Sequence, residues 1–244
     1  MKPFLFLATR DADGPADAEY ESFLLRTGLE ESTLVRHRLE AHPMPEISLE
    51  DWSGIIVGGS PFNTTTPAES KSATQVRVEA EFNALLDRVV QTDFPFLGAC
   101  YGVGTLGSHQ GAVIDGTYRE EVSAPEITLT PEGLDDPVCD GISATFRAFV
   151  AHKDAVTVPP RDAVVLATSG PCPYQMLRVG QNLYATQFHP ELDGPALSYR
   201  LGFYAGHGYF ETEDLPRIQA WTSEPDVSDS WKVLANFVAV HARD

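Results

Sequence analysis

Short apolar runs, each too brief for a helix and each followed by residues at helical spacing, constrain this chain more than any other feature. Phe4-Leu5-Phe6-Leu7-Ala8 reads as a strand buried on both faces. Tyr20, Phe23 and Leu24 then recur at helical spacing, and Gly28 suits the left-handed residue that closes a helix. Leu34 to Leu39 reads as a second strand. Gly54-Ile55-Ile56-Val57 reads as a third, ending in the turn Gly58-Gly59-Ser60-Pro61. Phe82, Leu85, Leu86, Val89 and Val90 fall at i, i+3, i+4, i+7 and i+8, an amphipathic helix. Phe94 to Ala99 is a fourth strand running into Cys100. Such alternation predicts an α/β fold: a doubly wound, mostly parallel sheet of flavodoxin-like type with helices on both faces.

The second half is richer in strands. Apolar or β-branched runs lie at Glu126–Thr130, Thr145–Ala151, Ala163–Ala167, Gln175–Val179 and Leu183–Phe188. Trp231, Leu234 and Val238 mark a closing helix, with Ser228 or Asp229 as N-cap. The aromatic stretch from about Pro195 to Glu224 reads as helix plus lid, or as part of an interface. With no internal repeat or linker, residues 1–244 are expected to form a single domain.

Composition narrows the function. The 17 Lys and Arg face 35 Asp and Glu, a net charge of −18 that repels phosphate backbones and argues against nucleic-acid binding. No run approaches the roughly 20 apolar residues of a membrane helix, and no secretory leader is evident, so no membrane association and a cytoplasmic location are expected. Three cysteines, Cys100, Cys139 and Cys172, do not make a disulfide framework. None has CxxC spacing and no HExxH occurs, so no metal is expected. The chain has no phosphate-binding G-x-x-x-x-G-K-[ST] loop and no cofactor is expected. Gly102-Val103-Gly104-Thr105-Leu106-Gly107 matches the dinucleotide pattern G-x-G-x-x-G, with Glu120 and Glu121 near the distance of a ribose-binding acid. That motif is weak alone, and it normally occupies the first βα unit.

The chemistry concentrates elsewhere. In Phe96-Leu97-Gly98-Ala99-Cys100-Tyr101-Gly102 a strand feeds a cysteine with glycines at −2 and +2, followed by a helix. This is the cysteine counterpart of the G-x-S-x-G elbow, whose sharp turn crowds its neighbours and calls for small residues on either side. The turn lifts the sulfur above the sheet edge, where the helix N-terminus favours negative charge and backbone N–H groups can hold an oxyanion. A second strand ends in Gln187-Phe188-His189-Pro190-Glu191. A nucleophilic cysteine needs a base, and the base needs a group that fixes its tautomer; His189 and Glu191 supply both if the two strand ends adjoin. Gly59 and Tyr101 backbone N–H groups are candidate oxyanion donors. Arg10, Arg36 and Arg38 are candidates to face a partner, and the acidic run Asp11–Glu21 reads as a solvated face.

These motifs, in this order, resemble the class I (triad-type) glutamine amidotransferases, and most of all GMP-synthase-like amidotransferase domains. The similarity runs from about Ile55 to Glu191, and it includes Ala151-His152-Lys153-Asp154, which resembles the family's His-Gly-Asp segment. The resemblance implies a Cys100–His189–Glu191 triad acting on L-glutamine through a γ-glutamyl thioester, with Gly59 and Tyr101 holding the oxyanion. Gly58, Ser60, Gly104, His152 and Asp154 are the positions it assigns to the substrate. It also implies a separate synthetase subunit that accepts the ammonia. One position departs from the family: Gly104 stands where a glutamine usually helps hold the substrate. That departure favours one alternative, a γ-glutamyl hydrolase or peptidase using the same triad; a non-enzymatic binding protein on the same fold is a further alternative, because fold does not fix function.

Overall fold

A computed structural model describes residues 1–244. In chain order, strand β1 (Phe4–Ala8) is followed by helix α1 (Asp13–Thr27), β2 (Leu34–Arg38), β3 (Gly54–Val57), α2 (Ala73–Gln91), β4 (Phe96–Ala99) and α3 (Tyr101–His109). The second half begins with β5 (Val113–Asp115), β6 (Glu120–Ser123), β7 (Glu126–Leu129), α4 (Pro131–Leu134), β8 (Thr145–Arg147), β9 (Val150–His152) and β10 (Ala155–Val158). It closes with β11 (Val164–Ser169), β12 (Met176–Val179), β13 (Leu183–Thr186), α5 (Gly194–Phe203), α6 (Leu215–Trp221) and α7 (Ser228–His241).

Nine strands form one sheet in the order β2-β1-β3-β4-β13-β12-β11-β7-β8. The pairings from β2 to β13 are parallel; those from β13 to β8 are antiparallel. Strand order reverses at β1, which has β2 on one side and β3 on the other. Open α/β sheets place ligands beyond the carboxyl ends of their strands near such a reversal.

Alternation along the strands explains the two-sided core. Phe4, Phe6 and Ala8 join Ile56, Leu97, Ala99 and Tyr184 on one face, against Phe23 of α1 and Phe237 of α7. Leu5 and Leu7 join Ile55, Val57, Phe96 and Ala185 on the other, against Phe82 of α2 and Leu106 of α3. Of the parallel strands, β1, β3, β4 and β13 are buried throughout, which is why they read as apolar runs, whereas the edge strand β2 is buried only at Leu34.

The terminators follow local chemistry. Gly28 closes α1 at φ +69°, its N–H donating to the Leu24 carbonyl. The Ser72 side chain caps α2 by accepting from the Gln75 N–H. At α7 the expected caps are displaced: Val227 is the N-cap residue, and Ser228 and Asp229 lie in the first turn. The run expected as one strand over Thr145–Ala151 divides between two sheets, β8 pairing with β7 and β9 with β6. No helix is long and apolar enough to cross a membrane.

Phe23 is fully buried with its ring centroid 4.7 Å from that of Phe6. Phe23→Ala is expected to cost about 3–5 kcal/mol, read as a lower urea midpoint with an unchanged m-value.

Candidate active site

Four strand ends deliver the site. Beyond β1 come Thr9 and Arg10, beyond β3 Gly58-Gly59-Ser60, beyond β4 Cys100, and beyond β13 Gln187 to His189. Cys100 has φ +54° and ψ −80°, a left-handed conformation that costs a non-glycine residue energy and marks the elbow. Its N–H donates to the Thr186 carbonyl at 2.7 Å, so the β4–β13 ladder holds the strained residue in place.

The two flanking glycines differ. A Cβ on Gly98 would lie 2.4 Å from Gly102 Cα, whereas a Cβ on Gly102 would meet nothing within 4 Å. The crowding expected on both sides of the cysteine therefore acts at Gly98 alone. The first N–H groups of α3, beginning with Tyr101, have no partner within the helix.

His189 and Cys100 line one cavity. His189 Nδ1 donates to Glu191 Oε1 at 2.9 Å, leaving Nε2 for the sulfur. Burial alone would push the imidazolium pKa down; the charges of Glu191 and then Cys100 outweigh it and raise it to about 9. Burial would likewise raise Glu191, but His189 and Arg200 hold its carboxyl well below the usual carboxylate range.

Sequence reading missed the residues behind this pair. Arg200 of α5 donates from Nη1 to Glu191 Oε1 at 2.8 Å, and its Nη2 is 3.7 Å from Glu19 Oε1. Arg10 donates to Glu19 Oε1 at 2.8 Å and to the Tyr204 hydroxyl at 2.7 Å. All five charged or titratable groups, His189, Glu191, Arg200, Glu19 and Arg10, are buried. Arg10 therefore faces no partner surface, and Glu19 is not part of a solvated face. Arg36 and Arg38 pair with Asp17 and Asp13 of α1. Their isolated positions in sequence carried no signal of these pairings.

The glycine pair is explained by the same charges. A Cβ on Gly58 would lie 2.6 Å from Glu19 Oε2, and one on Gly59 would lie 2.6 Å from Arg10 Nη2 and 3.0 Å from His189 Cε1. The Gly59 N–H, expected to face an oxyanion, instead donates to Glu19 Oε1 at 3.1 Å.

The remaining candidates divide between two cavities that meet at Cys100. The apolar one, about 50 Å³, lies beneath Leu192, Leu197, Leu201, Tyr204 and Tyr209. The polar one, about 30 Å³, is lined by Asn63, Thr64, Gly104, His152, Asp154 and Gln187; Ser60 lines both. Asp154 accepts from the Thr65 N–H and hydroxyl, which pins the 63–66 loop over this cavity. His152 turns Nε2 to Glu120, 2.9 Å away. Above Gly104, Thr64 Oγ1 lies 2.2 Å from where a Cβ would stand, so the family's glutamine would fit there only with Thr64 displaced. The aromatic stretch resolves into α5, α6 and a strap between them. Lys153 donates to the His207 carbonyl at 2.6 Å, which holds the strap beside Tyr209. Burial, then the nearby Cys100 charge, push the Tyr209 phenol up to about 12, so it remains a neutral hydroxyl.

The sequence profile described as "Glutamine amidotransferase class-I" matches residues 17–197, and the chain belongs to this family. Among curated relatives, the GMP synthase [glutamine-hydrolyzing] of Edwardsiella ictaluri is 32% identical over 162 residues, covering 63% of this chain and 28% of that protein. The Salmonella typhimurium counterpart is 28% identical over the same length and share. The aligned part thus spans little more than a quarter of these relatives. Among solved structures, a glutamine amidotransferase from Thermotoga maritima matches with TM-score 0.72 at 17% identity, covering 98% of this chain and 97% of its own. One from Methylobacillus flagellatus matches with TM-score 0.70 at 17% identity, covering 100% and 97%. These likenesses establish the flavodoxin-like α/β fold.

Two expectations follow. Gly98→Ala should lower the melting temperature, while Gly102→Ala should leave it near wild type; equal effects would contradict the packing at the elbow. The buried pair also sets a pH window. His189 titrates higher folded than its unfolded value of about 6.5, so its stabilisation is complete below that value and fades as pH rises toward about 9. Glu191 titrates lower folded than its unfolded value of about 4.3, so its contribution is lost as pH falls below that point. Urea unfolding should show this contribution largest between about pH 4.5 and 6.5, and His189→Gln should flatten the alkaline limb.

Proposed function

We propose that the chain is a glutaminase that releases ammonia for an acceptor on a separate protein. The observation carrying this reading is the alignment of Cys100, His189 and Glu191, with one imidazole nitrogen on the carboxylate and the other left for the sulfur. That is the nucleophile–base–orienter arrangement of covalent acyl transfer. Cys100 passes its thiol proton to His189 Nε2, Sγ attacks the side-chain amide carbon of glutamine, and the carbonyl electrons move to oxygen. The oxyanion is held by the Tyr101 N–H at the start of α3. Gly59 can contribute only if its bond to Glu19 opens. The C–N bond then breaks, His189 Nε2 gives its proton to nitrogen, and ammonia leaves a γ-glutamyl thioester. Water loses a proton to His189, adds to the thioester carbon, and expels the thiolate, yielding glutamate. Glu191 carries the imidazolium charge and fixes the ring, and Arg200 fixes Glu191.

The relatives named as glutamine-hydrolysing GMP synthases support glutamine as substrate and a synthetase partner for the ammonia. Three free thiols suit a reducing compartment, so we place the reaction in the cytoplasm. A second reading, γ-glutamyl amide or peptide hydrolysis, is favoured by one observation: Thr64 fills the space above Gly104, where the family holds the substrate with a longer amide side chain. Loss of such a polar contact changes which substrate is preferred more than it changes the chemistry.

The test measures ammonia and glutamate from L-glutamine, beside amine release from a γ-glutamyl peptide. Wild type is expected to turn over glutamine, and Cys100→Ala to lose at least about a thousandfold of that rate. Turnover of the peptide alone selects the second reading. Undiminished glutamine hydrolysis by Cys100→Ala would refute both.

A further inference from the structure

Beside the polar cavity lies a second group of competent side chains that the proposed chemistry does not use. Glu120 on β6 faces His152 on β9 in register, and Cys172 hangs from the turn between β11 and β12. One ligating atom from each lies within 4.8 Å of the others, and the residues are 7%, 4% and 0% exposed. In tetrahedral zinc, bonds of roughly 2.0–2.3 Å put neighbouring ligand atoms about 3.3–3.8 Å apart. A closing shift of about an ångström therefore suffices to bring the three onto one ion.

Three further details point to a cation. Glu120 Oε1 and Gln175 Oε1 are buried acceptors with no hydrogen-bond partner. A buried acceptor left in that state is costly, and both belong to side chains already joined by the Gln175 Nε2 bond to Glu120 Oε2 at 2.8 Å. His152 Nδ1 lies 3.2 Å from the Asp154 carbonyl, and Nε2 lies 2.9 Å from Glu120 Oε2, so Nε2 is the nitrogen turned to the cluster. A backbone carbonyl on the outer nitrogen is the usual support of a metal-binding histidine. The Cys172 turn is also fixed, its N–H donating to Ser169 Oγ at 3.1 Å.

We propose that Glu120, His152 and Cys172 form a structural zinc site, with Gln175 Oε1 or a water as fourth ligand. The mixed nitrogen, oxygen and sulfur set selects zinc over magnesium or calcium, which take oxygen. With Zn²⁺ bound by the Glu120 carboxylate, a neutral His152 imidazole and the Cys172 thiolate, the charges sum to zero, the Cys172 Sγ proton leaving to solvent. The ion joins β6, β9 and the β11–β12 turn, and so fixes the His152–Asp154 segment that walls the polar cavity. The ligands lie 32 and 20 residues apart, which is why no metal motif shows in the sequence. The site does not depend on the glutaminase reading.

The test uses the full chain carrying Cys100→Ala, which removes the partly buried active-site thiol, stripped with a chelator and titrated with Co²⁺ as a zinc probe. One equivalent should bind, with a thiolate-to-cobalt charge-transfer band in the near ultraviolet. Adding Cys172→Ser should abolish the band, while adding Cys139→Ser should leave it. Should Cys172→Ser fail to fold, Glu120→Gln keeps the side-chain shape and should weaken Co²⁺ binding by at least about tenfold. Absence of the band in the Cys100→Ala chain, its survival in Cys172→Ser, or unchanged affinity in Glu120→Gln would overturn the proposal.

Discussion

Arg200 stands between two buried carboxylates, and the arrangement of the site depends on it. Its guanidinium bonds Glu191 on one side and approaches Glu19 on the other, and Glu19 is itself bound by Arg10 and by the Gly59 N–H. Two guanidiniums thus face two carboxylates in the interior, which removes the net charge that burial would otherwise penalise. Breaking one member of such a group leaves an uncompensated buried charge, a loss of about 3–5 kcal/mol. The links run from α1 to α5 and to the loops after β1, β3 and β13. The charges therefore position His189 and Glu191 by holding five segments together.

Cys100 has a different support. Its left-handed backbone is held by the β4–β13 ladder and by the start of α3. Gly98 allows the close approach to Gly102 that the turn requires. Parallel pairing places the ends of β3, β4 and β13 side by side, so the sulfur, the imidazole and the Gly58-Gly59 turn share one edge. The antiparallel strands β12, β11, β7 and β8 extend the sheet away from that edge. Their turn at Cys172 instead reaches the cluster beside the polar cavity.

The sequence made the first-half elements and the candidate residues Cys100, His189 and Glu191 legible because each is a local signal. A doubly buried strand reads as an apolar run, and a strand-ending cysteine between glycines stands out against it. Arg10, Glu19 and Arg200 were not legible, because a charged residue reads as exposed until its tertiary partner is known. Thr64 was hidden for a similar reason: only the fold brings it over Gly104. Strands β5, β6 and β10 are three or four residues long and only partly buried, too little for periodicity to register. The division of Thr145–Ala151 was missed because the run stays apolar where the chain passes from β8 to β9. There Phe149 pairs with His189 through an isolated bridge, a contact no local pattern encodes.

The central claim is that Cys100 becomes covalently acylated by a glutamyl group with His189 as its proton carrier. It is tested most directly by rapid acid quench of the protein during turnover of L-glutamine, followed by peptide mapping by mass. The account predicts a glutamyl adduct on the peptide containing Cys100, accumulating further in His189→Gln if any acylation survives, and none on those containing Cys139 or Cys172. Turnover with no adduct on Cys100, or with the adduct on another residue, would contradict it.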